Sequence, residues 1–259
     1  MSASTIALDA PLSRDRSSRP GLTRLAGVEL RKMVDTRAGF WVQLGVLGLM
    51  VTFAILSAVI GKTEDHTMHG ILVAAAWPAY ALLPVVGILL VSSEWSQRTT
   101  LITFALVPQR SRVLVAKLSA AVVLACTSFL VALGIAALVT AISSPGIPGT
   151  WSLSGVVLGQ TLVLLVAAMV MGLGYGAMLL SSAPAIVLSF VLPLGWSALA
   201  SIHALNGTAR WLDGSKSFAP LVDHAMNTTE WARVGTTLAV WLLVPLTIGL
   251  WRIRRSEVG

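Results

Sequence analysis

Six long apolar segments constrain this chain more than any other feature of its sequence. They lie at about residues 40–60, 71–91, 113–142, 156–180, 185–204 and 234–251. Each is near or above the ~18–20 residues that an α-helix needs to cross the hydrocarbon core of a bilayer. Open strands would leave backbone groups unpaired in lipid, so helices are expected. Charged residues make up only 11% of the chain, against about 25% in soluble domains. We therefore predict an all-α integral membrane protein with six transmembrane helices.

The distribution of basic residues predicts how these helices are oriented. Fourteen of the 18 lysines and arginines precede the first segment, lie around the loop between the second and third, or follow the sixth. The other side would hold only Lys62, Arg210, Lys216 and Arg233. Cytoplasmic loops carry the excess of Lys and Arg. We therefore expect both termini to be cytoplasmic, in a multi-pass protein of the cell (plasma) membrane. This placement accounts for the basic balance without a nucleic-acid partner.

The segment before the first span divides into two parts. Residues 1–21 are rich in Ser, Arg and Pro, which predicts a disordered tail. Residues 22–37 place apolar and basic side chains on opposite faces of a helical wheel, which predicts an amphipathic helix at the cytoplasmic membrane interface. Glu29 falls within the apolar arc of that helix. Either it pairs with Lys32 at the helix edge, or it makes a polar contact with another cytoplasmic element.

Patterns typical of enzymes are missing from the sequence. There is no H-E-x-x-H and no G-x-S-x-G motif. The letters GKT at 61–63 resemble the end of a phosphate-binding loop, but that motif needs a glycine where Leu56 stands. His66 and His69 are interpreted as part of a solvated loop, with weak divalent-metal binding as the alternative. We expect no catalytic, cofactor or metal site, and therefore no enzyme activity of the chain by itself.

The predicted spans also contain few ionisable side chains. Lys117 lies near the start of the third, where we expect its ammonium group to snorkel to the interface, and His203 lies at the outer edge of the fifth. Ion-coupled transporters use buried carboxylates or histidines as relays. If this protein transports actively, its energy therefore comes from outside the membrane, and a cytoplasmic loop is the natural place to receive it.

Two pairs of glycines in the predicted spans bear on how the helices pack. The pairs Gly155/Gly159 and Gly172/Gly176 have the spacing that allows helices to approach closely, and packing within the chain is the preferred interpretation over a dimer seam. The external stretch 204–233 is expected to form interfacial or partly re-entrant turns around Pro220.

Three stretches of the chain contain recognisable patterns in a fixed order. The stretch VELRKMVDTRAGFW contains E-x-x-K-x-x-x-x-R, with Glu29, Lys32 and Arg37 at those places. The stretch SSEWSQRTTLITFALVPQRSRVLVAKL contains E-aromatic-x-x-x-T and P-x-R-x-x-x-x-x-A-K, and the stretch MGLGYGAMLLSSAPAIVLSFVLPLGW contains a Gly-rich segment and a short turn. Together they resemble the entry helix, the second loop and the fourth helix of the permease subunits of bacterial type-2 ATP-binding-cassette (ABC) exporters. Many members carry an arginine in the turn after the fourth helix, where this chain has Ser181 and Ser182.

The resemblance implies a mechanism for residues 22–259 as one six-helix permease domain. Two permeases, copies or paralogues, pair in the membrane, and each docks on a separately encoded ATPase that binds the ATP. The loop between the second and third spans receives the push of the ATPase. The residues that the resemblance and the loop chemistry assign to this coupling are Glu94, Thr99, Leu101, Phe104, Leu106, Pro108, Arg110 and Arg112.

Other interpretations remain open. Arg110 and Arg112 could bind membrane lipid, or serve only as positive-inside anchors. The chain could be an ATP-independent channel or carrier, or a membrane scaffold or assembly factor. Apolar spans favour an amphipathic or hydrophobic cargo, such as an antibiotic, peptide or lipid, without identifying one.

Overall fold

Six helices of the protein are long and apolar enough to cross a membrane. The computed structural model describes residues 21–61, 66–96, 110–200, 207 and 211–255. In those residues every regular element is a helix. The helices of spanning length are α2 (Arg37–Ile60), α3 (Met68–Ser96), α4 (Arg110–Ser143), α5 (Gly155–Leu179), α6 (Ser182–Ala200) and a composite last span over Thr228–Arg252. The expected helical fold with six helices of spanning length is confirmed.

Shorter helices precede and interrupt this bundle. Helix α1 (Leu22–Asp35) comes before the first span, and α7 (Gly214–Phe218) and α8 (Pro220–Asp223) lie between the fifth and sixth. The last span consists of α9 (Thr228–Leu238), a π-helical turn over Ala239–Leu243 and α10 (Val244–Arg255). The π-helical turn comes just before Pro245, whose missing N–H would interrupt an α-helical ladder at this position. Helices α3 and α6 run through their internal prolines, Pro78, Pro84 and Pro193.

Helices α3 and α5 form the centre of the bundle. Their most apolar windows are 61% and 56% buried inside the protein, whereas those of the other spans are 11–22% buried. Glycines explain how closely the two central helices pack. A Cβ at Gly172 would collide with the backbone of Pro84, and one at Gly87 would collide with the Met169 carbonyl. The Gly172/Gly176 pair therefore packs within the chain, as predicted, while Gly155 and Gly159 face open space.

This contrast predicts opposite effects of one substitution at two glycines. Gly172→Ala should lower the free energy of unfolding by about 1–3 kcal/mol, because the neighbour that must yield is backbone rather than a flexible side chain. Gly159→Ala should be neutral or stabilise the helix by up to about 1 kcal/mol. Thermal unfolding of the two purified variants in detergent measures the difference. Equal effects at both positions would contradict the packing described here.

The two ends of the bundle carry different connections. At one end, here called the α1 end, lie α1, the last turns of α3 and α5 and the first turns of α4 and α6. Contacts at this end include a hydrogen bond between Ser92 and Ser182 hydroxyls, 2.8 Å apart. The Arg252 guanidinium also donates to the Met178 carbonyl over 2.7 Å. At the opposite end, the Met68 amide donates to the Thr150 carbonyl over 2.8 Å.

The segment between the fifth and sixth spans folds against the opposite end of the bundle. Leu221 and Val222 are buried there with Phe218 against α5. Gln160 of α5 fixes the segment: its side-chain amide donates to the His224 carbonyl at 2.8 Å, and its carbonyl accepts from the Met226 amide at 3.2 Å. The segment thus consists of packed helical turns around Pro220, where turns were expected. Whether they enter a membrane stays a prediction.

Three expected boundaries differ from the structure. Helix α1 ends at Asp35, and Arg37 instead begins α2, because Thr36 leaves the helical conformation and its hydroxyl caps the Gly39 amide at 3.2 Å. The turn between α5 and α6 is shorter than predicted. It contains Leu180 and Ser181, so that Pro184 lies in the first turn of α6. The last span begins at residue 228 rather than 234.

Candidate coupling site

A buried ion pair joins α1 to the spanning helices. Lys117 Nζ lies 2.7 Å from Glu29 Oε2, and the two side chains are only 5% and 6% exposed. The same ammonium group donates to the Leu90 carbonyl over 2.9 Å. Lys32 Nζ approaches the other carboxylate oxygen, Oε1, at 2.9 Å. One carboxylate therefore holds two lysines, and one of them reaches a third helix.

This cluster lies near the two helix ends that residues 97–109 join. Leu90 is six residues before the end of α3, and Lys117 is seven residues after the start of α4. At a rise of 1.5 Å per residue, each lies about 10 Å from the end of its helix. Residues 97–109 join those two ends. The cluster of Glu29, Lys32, Lys117 and the Leu90 carbonyl, which we call the clamp, thus ties α1 to both helices that carry this loop.

The sequence around Glu29 explains why α1 buries a charge. Met33 is 2% exposed and lies one turn after Glu29 on the same face, so the face that packs against the bundle carries the carboxylate inward. Buried ions are costly unless they are paired and hydrogen-bonded. Here each carboxylate oxygen has a lysine partner. Glu29 pairs with Lys32, as the first explanation expected, but it is buried rather than at the helix edge. It also makes a polar contact with another element, α4, as the second explanation expected, and the cytoplasmic position of that contact stays a prediction.

A second polar contact fixes the angle between α1 and α2. The side-chain amide of Gln43 in α2 donates to the Met33 carbonyl over 3.2 Å and to the Gly39 carbonyl over 3.4 Å. Gly39 is buried, and a Cβ there would collide with the Met33 carbonyl, so only glycine fits at this corner. The clamp and the Gln43 contact together fasten α1 against the bundle at two points.

One expectation for this region is wrong. Lys117 does not snorkel to the interface, because its side chain is 5% exposed and its ammonium group lies between Glu29 and the Leu90 carbonyl. The sequence could have indicated this role, since Glu29 stood in an apolar arc and needed a cationic partner. It could not identify the partner among the lysines and arginines at the same end.

The other predicted coupling residues fall in different places. Thr99, Leu101, Phe104, Leu106 and Pro108 lie outside the described residues. Glu94 is in the last turn of α3 and Arg110 is the first residue of α4, but the described part does not include their side chains. Arg112 lies in the first turn of α4 and is half-buried. Of the three interface residues, the structure brings Glu29 and Lys32 together, while Arg37 is exposed at the start of α2.

Among the described residues, no group of three or more His, Cys, Asp or Glu side chains is arranged to hold a metal ion. The ring of His66, one of the two loop histidines, lies 3.1 Å from the Gly61 carbonyl. The carboxylates and histidines of the described spans, Glu94, His69 and Glu230, all lie within about two turns of a helix end.

No protein-family model and no curated protein matches the chain.

Proposed function

We propose that the chain is the transmembrane subunit of an ATP-driven export system of the type-2 ABC kind. Both termini and the loop 97–109 lie on the cytoplasmic side, and a separately encoded ATPase docks on that loop. The observation that carries the proposal is the buried clamp of Glu29, Lys117 and the Leu90 carbonyl. It connects α1, α3 and α4 about 10 Å from the ends of the loop.

The clamp matters because a pushed loop does work only if its displacement reaches the spans. A loop on two independent helix ends would absorb a push by local bending. The Glu29–Lys117 ion pair joins α1 to α4, and the hydrogen bond from Lys117 to the Leu90 carbonyl joins α4 to α3, so the same push moves all three helices together. Helix α3 in turn packs directly on α5 through the glycine contact. The route from the loop to the bundle centre is therefore continuous.

The proposed docking surface combines the loop residues with the first turn of α4. Leu101, Phe104 and Leu106 supply apolar anchors, Pro108 follows them in the sequence, and Arg110 and Arg112 offer positive charge to acidic groups of the ATPase. Glu94 and Thr99 belong to the same surface through the family resemblance. ATP stays with the partner subunit, which performs the hydrolysis. A second permease, identical or related, completes the pathway, and the cargo is amphipathic or hydrophobic.

Co-purification tests the proposal most directly. The tagged chain, expressed in its native host, should retain an ATPase subunit in mild detergent, and the pair should hydrolyse ATP faster than the ATPase alone. Deleting residues 99–107 should abolish retention of the ATPase subunit. Replacing them by a Gly/Ser linker of equal length should abolish it too, although the number of residues between α3 and α4 is unchanged.

Two outcomes would favour the other functions. Solute flux through vesicles containing this chain alone, without ATP or a partner, would identify a channel or carrier. Stable association with a membrane complex that lacks any ATPase would identify a scaffold or assembly factor.

A further inference from the structure

A groove of about 320 Å³ opens between α2, α3 and α4 on the α1 side of the bundle. Its walls are mostly aliphatic, with Leu44, Leu47, Met50, Leu83 and Val86 among them. Val34 of α1 and Phe40 of α2 also line it and are 56% and 48% exposed. From Phe40 to Met50, α2 rises about 15 Å. This is half of the ~30 Å hydrocarbon core, which is the depth of one leaflet. Along α2 the groove is therefore as long as one leaflet is deep, which suits a single acyl chain.

The polar atoms in the groove are largely committed to the protein. The hydroxyls of Thr127 and Ser128 each donate to a carbonyl of their own helix at 2.9 Å. The Gln43 amide donates to the α1–α2 corner. A hydrocarbon chain can therefore lie along these walls without leaving their donors unpaired.

Two arginines lie one helical turn from residues that line the groove. Arg31 lies one turn before Val34 on α1, and Arg37 lies one turn before Phe40 on α2. Arg31 pairs with Asp35 at 3.7 Å, but the two side chains are 84% and 67% exposed, and such surface pairs exchange partners at little cost. Arg37 is also exposed and begins a 24-residue helix, whose dipole adds to the attraction for an anion.

We propose that this groove binds one anionic phospholipid, with an acyl chain between α2, α3 and α4 and the phosphate against Arg31 and Arg37. Such a lipid fills the space beside the α1–α2 corner and holds the corner against the bundle from its membrane side. This binding does not depend on the export function proposed above.

Native mass spectrometry of the full chain in detergent tests the proposal. The protein is incubated with equal amounts of phosphatidylglycerol and phosphatidylcholine that carry the same acyl chains. One phosphatidylglycerol should be retained in preference to phosphatidylcholine. Arg31→Gln and Arg37→Gln should each reduce that preference about fivefold, since a basic residue near an anionic lipid surface contributes about that factor. Arg24→Gln, on α1 like Arg31 but nearly three turns before the groove residue Val34, is the matched control and should leave the preference unchanged.

A second pair of variants tests the acyl-chain part of the site. Ser128→Trp fills the groove and should reduce retention of both lipids, whereas Leu130→Trp, on a side chain that is 63% exposed and outside the groove, should not. Equal losses from Arg24→Gln and Arg37→Gln would mean general charge attraction and would overturn the proposal. Displacement of the lipid by equimolar glycerol phosphate would overturn it as well. So would a Ser128→Trp variant that dissociates a dimer without changing lipid retention, which would make the groove a contact between copies.

Discussion

Glu29→Gln is expected to lower the free energy of unfolding by about 3–5 kcal/mol, the cost typical of removing one partner of a buried ion pair. The loss is large because the buried Lys117 ammonium group would exchange its carboxylate partner at 2.7 Å for a neutral amide, so that its charge would no longer be balanced by Glu29. Lys117→Met should destabilise less, since Glu29 would keep Lys32 at 2.9 Å and that lysine is 38% exposed.

The double variant makes this prediction specific. Glu29→Gln combined with Lys117→Met removes both buried charges, so its free energy of unfolding should recover most of what Glu29→Gln alone loses. Denaturant unfolding of the purified proteins in one detergent measures all four values. Additive losses in the double variant would show that the two side chains do not interact energetically, and the clamp would then not exist as described.

Reversing the charge of both Arg110 and Arg112 to Glu is expected to abolish the stimulation of ATPase activity in the assembled complex, a loss of at least about tenfold relative to the parent. Like charges brought together across an interface are costly, and truncation or reversal of a paired charge typically changes affinity by several kcal/mol. The measurement is ATP turnover of the reconstituted complex, together with the amount of chain inserted in the membrane, which should stay unchanged.

The matched control for this prediction is Arg255→Glu. This residue is basic, exposed and near the same end of the bundle, but it lies outside the proposed docking surface, and its guanidinium stacks 4.7 Å from the centre of the Trp251 ring. If Arg255→Glu reduces stimulation as strongly as the double reversal, charge near this end matters generally and the loop has no special role. Unchanged coupling in the Arg110/Arg112 variant would remove those residues from the docking surface.

The sequence was most informative about the helices whose minimum length is set by the thickness of a membrane. The six spans could be found because about twenty apolar residues are needed to cross lipid, whatever the helices contact. The start of the last span was placed too late because Thr228 to Arg233 are too polar to count as membrane. A local signal was present nevertheless: Asn227 and Glu230 form a reciprocal capping box, and the N-x-x-E spacing that produces it is readable.

The candidate site was predictable only in part. Glu29 could be singled out, because a carboxylate in an apolar arc needs an explanation. Its partner Lys117 is 88 positions away, and the angle at which α1 meets α4 selects it rather than another basic residue. The role of Gln160 had no local signal at all, since its partners are backbone groups of a distant segment. Side-chain patterns show which residues need a partner, whereas helix packing decides which partner they find.

The contact of the last span with α5 has a consequence for how the protein is made. A Cβ at Gly249 would lie 2.6 Å from the Ala177 Cβ, and Gly174 faces the Leu246 backbone. The Arg252 guanidinium donates a hydrogen bond to the Met178 carbonyl at the end of α5. During synthesis these groups of α5 stay uncovered until the final helix has been inserted. A nascent chain arrested before residue 228 would therefore display the small-residue face of Gly174 and Ala177, and a Met178 carbonyl without its Arg252 partner.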